Sequence, residues 1–78
     1  MYVLMENYDN ELTYDDNEHF ERQIAVSKNI ESLMEYAKHK IAPYTLEWNE
    51  IKDDENIVFK SSKVDEFIYT IERTVFLQ

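Results

Sequence analysis

The sequence predicts an α+β fold, an antiparallel sheet of four to five strands with one helix packed on one face. Three observations predict it. Several short segments alternate apolar and polar residues with a period of two. One stretch repeats apolar residues at helical spacing, and polar, acidic connections separate the segments.

Taken in order, Tyr2 to Tyr8 is rich in β-favouring residues and reads as a strand, with Tyr2 and Leu4 on one face and Val3 and Met5 on the other. Asp9 to His19 is polar and acidic. It is either a long hairpin loop or two strand extensions joined around Asp15, Asp16 and Asn17. Phe20 to Val26 alternates again, with Phe20, Ile24 and Val26 on one face and Glu21, Gln23 and Ala25 on the other.

Ile30, Leu33, Met34, Ala37 and Ile41 form an apolar stripe one helix face wide. Ser27 or Asn29 can cap its start, because a short polar side chain accepts from the free amides of the first turn. Glu31 near the start and Lys38, His39 and Lys40 near the end match the helix dipole. Pro43 ends the helix, since a residue before proline is driven towards extended geometry. Thr45 to Lys52 sets Leu46 and Trp48 against Glu47 and Asn49 as a third strand. Asp53 to Asn56 is a turn and Ile57 to Lys60 a return strand, followed by a connection from Ser61 to Glu66.

Phe67 to Leu77 fits two templates. Val64, Phe67, Ile68, Ile71 and Val75 match a helical stripe, and Ser62 with Asp65 resembles a capping box. Its β-branched and aromatic composition selects a strand. The predicted order is ββαβββ in a single domain, 1–78. One helix covers one side of a sheet, so the other side is wet or covered by a partner. The chain has no Gly, so positive-φ turn positions are expected at Asn10, Asn17, Asn56 or neighbouring Asp residues.

With 44% hydrophobic and 14% aromatic residues, the composition is that of a globular protein rather than a disordered chain. There is no Cys, which rules out disulfides, zinc thiolates and thiol nucleophiles. The opening residues lack the basic region of a signal peptide, and no apolar run is long enough to span a bilayer, so a cytoplasmic protein is expected.

The net charge is −9, and its distribution is uneven. Glu6, Asp9, Glu11, Asp15, Asp16, Glu18 and Glu21 are seven acids in the first 21 residues, with no Lys or Arg among them. The remaining 57 residues hold ten acids against all eight bases. Direct binding to nucleic acid or an anionic membrane is disfavoured, because Lys and Arg hold phosphates. A basic protein partner is favoured.

No catalytic constellation is visible. Ser27, Ser61 and Ser62 sit where caps and turns place serine, and no Gly shapes a nucleophile elbow. His19 lies in the acidic segment and His39 on the last helical turn, both expected to face solvent. The acidic run offers hard oxygen ligands but fails the calcium-loop spacing. From Asp15 the sixth and twelfth positions are Phe20 and Val26, and from Asp9 they are Tyr14 and Phe20. A non-enzymatic protein without metal or cofactor is expected. Among the aromatics, Tyr8 and Tyr14 flank and interrupt the acids and are expected on the surface. Carboxylates interleaved with rigid rings suit a protein-binding patch. The expected partner-binding set is therefore Glu6, Tyr8, Asp9, Glu11, Tyr14, Asp15, Asp16, Glu18 and Glu21.

In size, charge and the cluster over 6–21, the chain resembles, as a class, small acidic phage-encoded inhibitors of the anti-restriction and anti-CRISPR type. The resemblance implies a nucleic-acid mimic that occupies the basic cleft of a defence nuclease in the host cytosol. The opening YVLMENY and the step IAVSKNIESLMEYA also resemble small bacterial and phage proteins, which bears on fold. The alternatives are a cytosolic immunity protein or antitoxin neutralising a basic toxin, and a structural module that self-associates, for example as a homodimer.

Overall fold

The computed structural model describes residues 1–11, 17–53 and 56–74, with the backbone alone at 9–11 and 17–19. Five strands and one helix follow in the expected order: β1 (Tyr2–Glu11), β2 (Asn17–Ser27), α1 (Ile30–Ile41), β3 (Trp48–Glu50), β4 (Ile57–Ser61) and β5 (Phe67–Arg73). They form one antiparallel sheet ordered β2-β1-β5-β4-β3. The α1 segment connects the two edge strands, β2 and β3, and carries the chain from one side of the sheet to the other.

The helix forms where the apolar stripe lies. Asn29 is its N-cap, with the side-chain oxygen accepting from the Glu31 amide at 2.9 Å. Ser27 Oγ accepts instead from the Asn29 amide at 3.0 Å, so it shapes the approach to the cap. Ala42, before Pro43, takes φ −51° and ψ 141°, outside the helical region. Leu33 and Ala37 are buried against Leu4 of β1 and Tyr69 and Ile71 of β5, which together make the core. Ile30, Met34, Ile41, Trp48 and Phe59 close around them, half-buried.

Cross-strand register separates the two sheet faces. Leu4 lies opposite Ile71 and Glu6 opposite Tyr69, all beneath the helix. Met5 lies opposite Thr70 and Asn7 opposite Ile68 on the other face. That face mixes Val3, Met5 and Ile68 with Asn7, Thr70 and Glu72, and the Asn7 side-chain Nδ2 donates to the Ile68 carbonyl at 3.2 Å.

Three expectations are corrected. The alternation of β2 is broken by a bulge, because Leu4 pairs Ala25 and Met5 pairs Gln23, leaving Ile24 extra. Phe20 and Val26 therefore lie on opposite faces, and Val26 is exposed. The third strand is shorter than Thr45 to Lys52, because β4 offers only five residues and is itself bulged between Ile57 and Phe59. Positive φ falls, among the described residues, on Asp65 (53°) and Glu66 (80°) rather than on an Asn. Val64 and Phe67 exchange both backbone hydrogen bonds, at 2.8 and 2.9 Å, around these two residues. A two-residue connection with both φ positive is a type I′ turn, whose twist suits a hairpin.

The ambiguous final segment is a strand over Phe67–Arg73, with Tyr69 and Ile71 in the core. Val75 and Leu77, Asp54 and Glu55 of the expected turn, and Tyr14, Asp15 and Asp16 lie outside the described residues.

Candidate functional site: an acidic ribbon above a buried charge cluster

Strand β1 pairs with β2 from Tyr2 to Glu11, but with β5 only from Tyr2 to Tyr8. Among the described residues, 9–11 and 17–19 therefore pair only with each other, as a two-stranded ribbon running beyond β5. In register, Asp9 faces His19, Asn10 faces Glu18 and Glu11 faces Asn17. The ribbon thus carries Asp9, Glu11 and Glu18 of the expected patch on its backbone, and the link between its strands contains Tyr14, Asp15 and Asp16. Glu21, on β2 just inside the ribbon, is exposed.

Two further acids, from the connection that precedes β5, join this end of the sheet. Phe67 pairs with Tyr8, so the turn before it places Asp65 and Glu66 beside the ribbon's base. Asp65 is exposed, whereas Glu66 is half-buried and lies 3.6 Å from Lys63.

The structure withdraws Glu6 from the exposed patch. Its residue is 1% exposed, and its carboxylate is held by groups from three other elements. Arg22 of β2, directly opposite in register, donates from Nε at 2.9 Å and from Nη2 at 2.8 Å to Oε1. The Tyr69 hydroxyl of β5 donates to Oε2 at 2.8 Å, and Lys40 from the last turn of α1 lies 3.7 Å from the same oxygen. A buried carboxylate without partners would be expensive; here both oxygens are satisfied. Burial foremost, and then the hydrogen bond and negative charge of Glu6, push the Tyr69 hydroxyl well above its ordinary value of 10.0, so the phenol stays neutral. A depression of about 350 Å³ opens beside this cluster, lined by Arg22, Lys40, Tyr44 and Phe67 among others.

Tyr8 is not a free surface ring either. It is half-buried, stacked on Phe20 with centroids 4.9 Å apart and tilted against Phe67 at 5.1 Å. These three rings lie side by side across β2, β1 and β5 and brace the ribbon where it leaves the sheet.

The expected set thus divides. Glu6 and Tyr8 build the base, Glu21 is presented to solvent, and Asp9, Glu11 and Glu18 lie along the ribbon. The Arg22–Lys40–Tyr69 grouping around Glu6 was missed. Its signal was parity: Glu6 follows Tyr2 and Leu4 at inward positions of β1, where a carboxylate needs partners.

His39 is exposed and lies 3.7 Å from Glu35, one helical turn away. Among the described residues, no three His, Cys, Asp or Glu side chains converge to hold a metal ion. Among those residues too, no helix is long and apolar enough to cross a membrane. Comparison with protein-family models, curated proteins and solved structures finds no match for this chain.

Proposed function

We propose that the protein is a non-enzymatic, acidic protein-binding inhibitor that presents the β1–β2 ribbon to a basic, nucleic-acid-binding surface of a partner, such as a defence nuclease of the host. One observation carries the reading: the segment dense in carboxylates is also the segment that overhangs the sheet. An overhanging ribbon reaches into a cleft that a flat sheet face cannot enter. The one base near it in sequence, Arg22, is tied to Glu6, so little positive charge offsets the ribbon acids. Long-range attraction to Lys and Arg speeds encounter, and occupying those side chains excludes the phosphates they hold.

The test is competition. The protein displaces DNA from a basic nuclease, and displacement weakens steeply as salt rises. Replacing Asp9, Glu11, Asp15, Asp16 and Glu18 with Asn or Gln lowers that competition about 10- to 100-fold, at the modest energy each exposed charge pair contributes. Undiminished competition by the five-fold variant would sink the reading. A nuclease panel supplies the partner class, and capture from lysate at low and then high salt supplies candidates for it.

A further inference from the structure

We infer that the outer edge of β2 takes up an extended basic segment of the partner as an additional antiparallel or parallel strand; this deepens the proposed function and rests on its acidic ribbon. The sheet has two edges of very different kind. The β3 edge is three residues long, and short edge strands are one way proteins blunt unwanted pairing. The β2 edge is eleven residues long, pairs with β1 alone among the described residues, and contains neither Pro nor Lys; its bulge at Ile24 interrupts the edge but leaves the run Asn17–Gln23 regular. Its outward backbone amides and carbonyls form a template for strand addition.

The side chains flanking that edge specify the chemistry of the incoming strand. On the helix side, Phe20 is 45% exposed and lies next to the aliphatic stem of Arg22 in alternating sequence, offering apolar contact. On the opposite side, Glu21 and Gln23 are exposed, and the bulge at Ile24 turns Val26 to that side as well. A segment alternating Lys with aliphatic residues meets Phe20 on one face and Glu21 on the other. The Glu18 position extends the acidic edge towards the ribbon. A second copy of this chain is a poorer occupant, because it would set acidic strand against acidic strand.

The probe is a peptide of about ten residues alternating Lys and Val, the length needed to span such a strand at roughly 3.3 Å per residue. Its control has equal charge but Pro at alternate positions, which removes the ladder donors. The alternating peptide should bind at least about tenfold more tightly than the control. It should also slow hydrogen exchange at alternate amides of Asn17–Ser27, with none slowed in β3. Equal binding of both peptides, or binding without new protection in β2, overturns strand addition and leaves the charge-driven reading standing. Full binding with β2 protection by the five-fold Asn/Gln variant does the reverse: strand addition stands and the role of the five ribbon acids falls. Failure of the alternating peptide to bind, or the same protection arising from concentration alone without peptide, also overturns the proposal.

Discussion

Glu6 occupies an inward position of β1 and converts what looked like one more surface acid into the centre of a charge cluster. Tyr69→Phe removes the hydroxyl from Glu6 Oε2 and leaves that oxygen with Lys40 alone, at an expected cost of about 1–2 kcal/mol at neutral pH, read by denaturant unfolding. The same variant changes the alkaline limb. The folded-state value of Tyr69 is raised, so its contribution is complete below 10.0 and is lost as pH climbs towards the folded value. Above 10.0 the unfolded chain gives up that proton more readily, and stability falls by about 1.4 kcal/mol per pH unit on this account. Tyr69→Phe should be correspondingly less steep there; identical slopes in the two proteins would refute the assignment. Arg22→Ala should cost about 1–3 kcal/mol, below the value for a fully enclosed pair because its side chain is 58% exposed. Parity along β1 carries a signal for the burial of Glu6, but the run of acids around it points to the surface instead. The partners of Glu6 carry no such signal, since Arg22 reaches it only through β1–β2 register and Lys40 only through the packing of α1.

At the level of elements, legibility tracked how local the cause is. The helix is specified by its own stripe, cap and proline, and lies where those signals place it. Asn29→Ala should therefore cost about 1 kcal/mol, seen as a lowered melting temperature, because the Glu31 amide loses its acceptor. The bulge at Ile24 has no such local signature: Ile24 fits an unbroken alternation equally well, and only pairing against β1 shows it to be extra. The length of β3 is likewise set by its partner, the bulged five-residue β4. The turn at Asp65 and Glu66 lies between these cases. A chain without Gly must place other residues in positive φ, but the hydrogen-bonded register of Val64 with Phe67 decides which. Glu66 at φ 80° carries a side chain where glycine is favoured. Glu66→Gly should raise stability by about 0.5–1 kcal/mol, as relief of that conformation outweighs the added freedom of the unfolded chain and the exposed contact with Lys63. A lower melting temperature in this variant would show that Glu66 has a further structural role.

For the molecule as a whole, the acidic cluster was visible as sequence composition, but its overhang was not. That feature exists only because β5 stops pairing at Tyr8 while β2 continues to Glu11. Concentrating acids in a ribbon braced by Tyr8, Phe20 and Phe67 has an energetic consequence separate from any partner. Like charges held on paired strands repel, and an unfolded chain lets them move apart. The repulsion is long-ranged at low salt, where the screening length is about 30 Å near 0.01 M, and largely removed at 1 M, where it is about 3 Å. Melting temperature should therefore rise by a few degrees as sodium chloride increases over that range, even though the Glu6 cluster gains nothing from screening. The Asn/Gln variant at Asp9, Glu11, Asp15, Asp16 and Glu18 should melt higher than the parent at low salt and show a flatter salt response. If parent and variant respond alike, the strain lies elsewhere in the net charge of −9, and the ribbon is not its source. If the variant is stabilised while its competition for a nuclease is weakened, the same carboxylates both strain the ribbon and carry the binding. A merely solubilising edge would show the first effect without the second.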